Sequence, residues 1–223
     1  MSEFSKTERN QVRRVAKRGK YDRETINAIL DEGYLCHVGF SVGEQPFVIP
    51  TLYARIDDSI IIHGSSISRM LKNIEEGVRV CVTVTLVDGL VLARSAFHHS
   101  MNYRSVVVHG WLRRITEPEE KEAALIAVTD HILPGRWDEV RPMTDKEFKS
   151  TGVLAIDIEA ASAKIRSGPP VDEDEDYALP VWAGVLPTPL TFGEPIPDAK
   201  LDAGMEPPAS IEAAVIKFSI SSA

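Results

Sequence analysis

The stretch Arg-Val-Cys-Val-Thr-Val-Thr-Leu-Val, at Arg79–Val87, decides the fold class of this chain. Valine and threonine make up most of it, and β-branched side chains favour strands over helices. Asp88-Gly89 then predicts a turn, and two further β-rich runs follow at Leu90–Phe97 and Tyr103–Ile115. The centre of the chain is therefore expected to be a series of antiparallel strands.

The same alternation of strands and turns extends in both directions. Three β-rich runs precede the central stretch and one follows it: Tyr34–Ser41, Pro46–Ile56, Ser59–His63 and Val153–Ile158. Apolar residues at helical spacing predict helices at 22–32, 66–77 and 118–133. Roughly seven strands joined by short turns predict a mainly β fold, a β-barrel with flanking helices.

Composition excludes several classes of protein. The chain is 43% hydrophobic with a net charge of −8, and it holds two cysteines. An acidic chain is not expected to bind nucleic acid through phosphate contacts, and no apolar run is long enough for a membrane span. We also expect no secretory leader. Two thiols in apolar runs are typical of a reducing compartment, so a cytoplasmic location is expected.

Charge is concentrated at the two ends. Residues 6–23 carry eight basic and two acidic side chains, a net charge of +6, whereas residues 168–208 carry nine acids and one lysine. The basic segment is open to two interpretations, contact with nucleic acid or membrane, or a solvated arm on an acidic surface, and the acidic majority favours the second. We expect an arm at 1–20, a barrel domain at 21–167 and a Pro-rich acidic segment at 168–223 that wraps the barrel or a dimer.

A first candidate site lies where a predicted strand runs into a predicted helix, at Ile62-His63-Gly64-Ser65-Ser66-Ile67-Ser68-Arg69-Met70. Hydroxyls, free backbone N–H groups and an arginine at a helix start form an anion site, most naturally for phosphate. The alternative is an ordinary helix cap beside a surface arginine.

A second candidate site is the polar stretch Arg94–Ser105, which contains His98 and His99. It is either a solvated hairpin loop or a ligand-lining loop whose imidazole transfers protons or binds iron. Trp182 lies in a Pro-flanked segment and either covers a core or stacks on a flat cofactor. Known nucleophile motifs and metal-ligand spacings are absent from the sequence, so no metal site is predicted.

Four stretches together resemble the pyridoxamine 5′-phosphate oxidase-like proteins of the split-barrel superfamily, in particular the branch of flavin-nucleotide-binding proteins that includes 5-nitroimidazole resistance proteins. They are Pro46–Tyr53, His63–Arg69, Asn102–Gly110 and the segment around Trp182. The resemblance covers about residues 20–190. It implies an FMN-binding split barrel of six strands, and a homodimer with the flavin at its interface.

The resemblance also assigns residues to the cofactor. The ring would lie along the strand of Val48, Ile49, Pro50 and Thr51, and the phosphate would meet Ser68 and Arg69. Met70 replaces a lysine of the family pattern, so Ser65, Ser66 or Lys72 would have to substitute for it. His63 and Gly64 border this site, Tyr103, Arg104 and Ser105 match a flavin-contacting strand, and Trp182 completes the set.

Three functions remain open from the sequence. The first is a flavin-dependent oxidoreductase that acts on a small molecule, with FMN favoured over FAD and with His98 and His99 as catalytic residues. The second is a haem-binding protein in which one of these histidines binds iron. The third is a flavin-binding or flavin-sensing module without turnover. The substrate signature of the oxidase is missing after Trp182, which disfavours vitamin B6 oxidation.

Overall fold

The structure, a computed structural model, describes residues 2–67, 71, 77–202 and 204–219. Eight strands lie in this part of the chain: β1 (Gly19–Lys20), β2 (Leu35–Val42), β3 (Gln45–Ile56), β4 (Ser59–Ser65), β5 (Arg79–Leu92), β6 (Ser100–Arg114), β7 (Thr151–Arg166) and β8 (Gly184–Pro187). The α-helices described are α1 (Arg23–Glu32), α2 (Pro118–Ile132), α3 (Asp145–Ser150) and α4 (Ala209–Ser219). Strand content therefore dominates, as the sequence predicts.

The strands form one sheet in the order β1-β7-β4-β3-β2-β5-β6, and β8 pairs with the C-terminal end of β5. An additional pairing between β6 and β7 closes a ring of six strands. This confirms the prediction of a mainly β fold, a β-barrel with flanking helices. By internal contacts the chain divides into a first unit (Met1–Thr51, Arg79–Trp111 and Ile158–Pro189) and a second unit (Leu52–Val78, Leu112–Asp157 and Leu190–Ala223).

Strand β5 is longer than the sequence pattern indicates. The turn predicted at Asp88-Gly89 is wrong, because β5 continues to Leu92 with a shift of register between Val87 and Gly89. A β-bulge inserts a residue without ending the strand. A Cβ atom at Gly89 would lie 3.0 Å from the carbonyl oxygen of Leu186, so glycine permits the close approach of β8. The predicted strand at Leu90–Phe97 is consequently the end of β5 followed by a loop.

The N-terminal segment of the first unit is packed onto β7. Phe4 is only 5% exposed, and Asn10 is buried with its amide donating to the carbonyl oxygen of Ala161 at 3.0 Å. β1 pairs with β7, and Asp22 caps α1 by accepting from the backbone N–H of Thr25 at 2.8 Å. The predicted start of α1 is thus confirmed.

The second unit has its own core between α2 and strands β4 and β7. Leu125 and Val128 of α2 share a buried cluster with Ile61 and Val153. Helix α4 joins this unit through Ser210, whose backbone N–H donates to Glu139 at 3.1 Å. Within the described ranges, no helix has the length and hydropathy that crossing a membrane requires.

Candidate functional site

Strand β3 presents an apolar face to solvent. Its exposed residues alternate along the strand as Pro46, Val48 and Pro50, and Val48 is 66% exposed. Phe47 and Ile49 point the other way and are half-buried, with the Phe47 ring stacked on Phe40 at 5.6 Å. Alternating apolar residues in solvent form a flat shelf for a planar ligand. Val48, Ile49, Pro50 and Thr51 therefore lie on a strand suited to the role that the resemblance gives them.

The end of β4 carries a histidine with an unused ring nitrogen. His63 is half-buried, and its Nδ1 is shielded from solvent without a hydrogen-bond partner among the described residues. Desolvation lowers the pKa of His63, so its imidazole is neutral at neutral pH. Gly64, Ser65 and Ser66 follow, and the backbone N–H of Ser66 donates to the carbonyl oxygen of Ser150 at 2.9 Å.

The predicted phosphate residues Ser68, Arg69, Met70 and Lys72 lie outside the described residues, as does most of the helix predicted at 66–77. Leu71 is described and buried. Its carbonyl oxygen accepts from the guanidinium of Arg114 at 2.7 Å. A Cβ atom at Gly152 would lie 2.8 Å from the Leu71 side chain, so glycine is needed there to accommodate Leu71. This contact fixes the position of Leu71, which lies between Met70 and Lys72 in the sequence.

The two neighbouring histidines lie in the loop between β5 and β6. Ala96–His98 forms a turn of 3₁₀-helix, and Phe97 beside them is 88% exposed. His98 Nε2 lies 3.4 Å from the carboxylate of Glu173, whereas His99 Nδ1 accepts from the backbone N–H of Ala93 at 3.0 Å. The neutral His99 ring therefore carries its proton on Nε2. The catalytic roles of both histidines stay predictions.

Asp172 is a buried acidic residue in this region that the sequence pattern did not single out. Its buried carboxylate accepts from Arg94, at 2.9 Å from the backbone N–H and 3.1 Å from the guanidinium. Burial by itself would raise the pKa of Asp172, but the hydrogen bonds from Arg94 lower it overall. The Arg94 guanidinium also lies 4.8 Å from the Tyr177 ring. The histidine loop and the start of the Pro-rich segment are therefore joined.

Arg104 is held by two carboxylates. Its guanidinium bonds to Glu32 of α1 at 2.8 Å and to Asp88 of β5 at 2.7 Å. The hydrogen bond that the guanidinium donates to Glu32, followed by the one that it donates to Asp88, raises the pKa of Arg104. Ser105 donates to the carbonyl oxygen of Lys164 at 3.3 Å. Both side chains already have protein partners, and their assignment to the cofactor stays a prediction.

Trp182 is 68% exposed, and its ring lies against the backbone of Gly184, where a Cβ atom would be 3.0 Å away. The alternative in which Trp182 covers a core is therefore wrong for the chain by itself, and the ring is accessible to a ligand or a second chain. No cluster of three or more histidine, cysteine or carboxylate side chains suited to a metal ion occurs among the described residues.

A basic pocket of about 740 Å³ lies in the first unit, and most of the residues that line it were not predicted as site residues from the sequence. Arg14 and Arg18 of the N-terminal arm and Lys164 of β7 line it, together with His99 and Tyr103. The sequence shows that the arm is basic. It does not show that the arm packs against β7, and the pocket depends on that packing.

Comparison with known proteins gives the family. The sequence model of the pyridoxamine 5′-phosphate oxidase family matches residues 22–165. The flavocytochrome Anf3 from Azotobacter vinelandii is 40% identical, with 93% of this chain and 96% of that chain covered and a TM-score of 0.86. An FAD and haem binding protein from Mycobacterium smegmatis is 36% identical over 89% of this chain and 97% of that chain, with a TM-score of 0.84.

A candidate 5-nitroimidazole antibiotic resistance protein from Bacteroides thetaiotaomicron shares the fold at 21% identity, with 65% of this chain and 84% of that chain covered and a TM-score of 0.54. No curated protein matches the sequence. The family model spans more than half of the chain, and two solved relatives exceed 30% identity over almost all of it. The chain therefore belongs to the pyridoxamine 5′-phosphate oxidase family.

Proposed function

We propose that this chain is a flavin-binding redox protein that also binds haem. The observation that carries the proposal is its 40% identity, over 93% of its length, to a flavocytochrome. A second relative at 36% identity binds FAD and haem, which favours FAD over the FMN that the sequence alone favours. A bound flavin supplies hydride and single-electron transfer, and the protein supplies its orientation and electrostatic environment.

The exposed face of β3 fits the flavin ring. Val48 and Pro50 offer apolar contact, and the backbone between them has the extended conformation of strand β3. Ser65 and Ser66 supply hydroxyls at the end of β4 for the phosphates, together with the predicted contribution of Arg69. These residues bind and orient the cofactor, and none of them has to move a proton for that task.

His63 fits an iron ligand better than His98 or His99. Iron takes a neutral imidazole with a free lone pair. His63 has a buried Nδ1 without a partner in the described structure, and its lowered pKa keeps the ring neutral. Nδ1 of His99 is already an acceptor, and Nε2 of His98 lies 3.4 Å from the carboxylate of Glu173. We therefore propose His63, instead of His98 or His99, as the residue that binds the haem iron.

The remaining parts of the proposal are a small-molecule substrate, a homodimer and a cytoplasmic location. The exposed Trp182 and the apolar face of β3 each support contact with a second chain, because exposed apolar patches mark interaction sites. Cys36 and Cys81 are both free thiols, as is typical of proteins from a reducing compartment.

The test is the absorbance spectrum of the purified protein and the mass of its extracted cofactors. We expect flavin bands, a mass matching FAD and a haem Soret band. His63→Ala is expected to abolish the Soret band, and His99→Ala and the exposed-residue control His37→Ala are expected to keep it. A protein that takes up neither flavin nor haem contradicts the proposal, and loss of the Soret band in His99→Ala alone contradicts the assignment of His63.

A further inference from the structure

We propose that the basic pocket of the first unit, bounded by Arg14, Arg18 and Lys164, binds an organic anion that carries at least two negative charges on an apolar body. This goes beyond the proposed function, because the pocket shares only Tyr103 and His99 with the residues assigned above. Its volume, about 740 Å³, lies in the range of small-molecule sites.

The three cations that line the pocket have no carboxylate partner among the described residues. None of them forms a salt bridge in the part of the chain that the structure describes. Other arginines of the same arm do have carboxylate partners, since Arg9 lies 2.9 Å from Glu159 and Arg13 lies 3.1 Å from Glu8. Among the described residues no carboxylate lines the pocket either. Positive charge is therefore concentrated here and left for a ligand.

A fourth cation, Arg166, interacts electrostatically with two residues of the pocket, Arg18 and Tyr103. Arg166 is only 8% exposed, and its guanidinium donates to neutral acceptors, the amide oxygen of Asn102 and the carbonyl oxygens of Gly168 and Pro169. Its Nε is buried without a partner in the described structure. Desolvation, and after it the positive charge of Arg18, lowers the pKa of Arg166. A buried cation without a counter-ion is costly, and an anion in the pocket would offset that cost.

Part of the lining forms an apolar wall. Leu90 and Met101 are cross-strand neighbours on β5 and β6, and both are exposed. Val15 completes the wall in a left-handed conformation with φ of 55°, which is rare for a β-branched residue. Such strain persists where the surroundings impose it, and it concentrates at ligand sites. The ligand consequently needs an apolar body as well as its charges.

The polar groups at the edge of the pocket are suited to donate. The neutral ring of His99 carries its proton on Nε2, because Nδ1 accepts from Ala93. Tyr103 contributes a hydroxyl and Lys164 an ammonium. Donors without competing carboxylates select ligands rich in acceptor oxygens, such as carboxylates, sulfonates or phosphates.

The test uses the full-length protein with its cofactors and the dye bis-ANS, which carries two sulfonates on an apolar binaphthyl body, titrated by calorimetry. The double variant Arg14→Gln/Arg18→Gln is compared with Arg13→Gln/Lys17→Gln, which removes the same charge from the same arm outside the pocket. We expect the first variant to weaken binding by about tenfold or more and the second by less than about twofold. Inorganic pyrophosphate is expected to compete, but with lower affinity than the dye.

Three results overturn the inference. Equal weakening by both double variants means that the arm attracts anions without a site. Weakening by neither variant means that Arg14 and Arg18 do not bind the dye. A parallel fall of flavin or haem absorbance in Arg14→Gln/Arg18→Gln means that the pocket is part of a cofactor site and not a separate one. Cofactor absorbance is recorded on the same samples, so a failure of the proposed function is seen separately. Thermal melting of both variants shows that each is folded.

Discussion

Asp172 binds Arg94 twice, through the backbone N–H at 2.9 Å and through the guanidinium at 3.1 Å, although the two residues are 78 positions apart in the sequence. Asp172 begins the acidic run of the Pro-rich segment, and Arg94 begins the histidine loop. The same arginine lies against Tyr177. This pair therefore holds the segment after Gly168 on the first unit and places Glu173 beside His98.

Asp172→Asn is expected to destabilise the protein at neutral pH. The hydrogen bonds from Arg94 hold the pKa of Asp172 below its ordinary value of 3.8. A carboxylate with a lowered pKa in the folded state contributes stability above its unfolded pKa, and this stability is lost as pH falls through the folded value. The melting temperature of Asp172→Asn should be several degrees lower than that of the unmodified protein at about pH 7, and the difference should vanish at about pH 2.

Asp174→Asn is the matched control, because Asp174 lies on the same segment and forms no salt bridge among the described residues. Its melting temperature should equal that of the unmodified protein at every pH of the series. Equal melting of Asp172→Asn and Asp174→Asn at neutral pH would show that the Arg94 contact does not stabilise the fold.

Gly152→Ala is expected to disturb the predicted phosphate segment through Leu71. The added methyl group would lie 2.8 Å from the Leu71 side chain, so one of the two must shift. Overpacking of this kind costs about 1–3 kcal/mol of unfolding free energy, measured by denaturant titration. Flavin affinity should fall with it if residues 68–72 meet the phosphate. Gly193→Ala is the control, since nothing lies within 4 Å of a Cβ there, and its change should stay within about 0.5 kcal/mol. An unchanged free energy of unfolding in Gly152→Ala would contradict the packing argument.

The fold was largely predictable because its signals are local. The Val/Thr run of β5 and the Asp22 cap of α1 act through near neighbours, and both appear as expected. The end of β5 was not predictable, because Asp88-Gly89 has the chemistry of a turn, whereas the structure has a bulge there in the ladder with β6 and pairs Gly89–Leu92 with β8. That pairing joins segments almost one hundred positions apart, and no local pattern reports it.

The candidate site was predictable to a smaller extent. The apolar face of β3 follows from strand alternation, and His63 lies at the end of a strand as expected. The carboxylate partners of Arg104, on α1 and β5, and the isolation of Arg166 depend on three-dimensional neighbours. The sequence shows that the arm is charged. It does not show which arginines of the arm remain without carboxylate partners. The sequence shows which groups are present, and the fold decides which of them are already engaged.

The two thiols are expected to be inert in the native protein. Burial raises the pKa of Cys36 to about 12 and also raises that of Cys81. At about pH 8 the thiolate fraction of Cys36 is then on the order of one in ten thousand, and only the thiolate reacts with DTNB. The variant Cys81→Ser, which keeps Cys36 alone, should release no colour until it is denatured, and then one equivalent. Rapid reaction of the native variant would show that Cys36 is accessible.

The opposed charges of the two ends predict a salt-dependent dimer. Deleting residues 1–20 would be a poor test, because it removes the buried Phe4 and Asn10 together with β1. Arg13→Gln/Lys17→Gln/Lys20→Gln removes three exposed charges from the arm and leaves its packing intact. Exposed charge pairs each contribute a fraction of a kcal/mol, so the dimer dissociation constant should rise by about tenfold at low salt.

Screening should remove that difference. At high ionic strength the Debye length is only a few ångströms, so the unmodified protein and the triple variant should dissociate alike. Sedimentation equilibrium at low and at high sodium chloride measures both constants. A dimer of equal strength in the two proteins at low salt would show that the arm does not meet the acidic segment of a second chain. A dimer weakened equally at both salt concentrations would assign the loss to packing instead of charge.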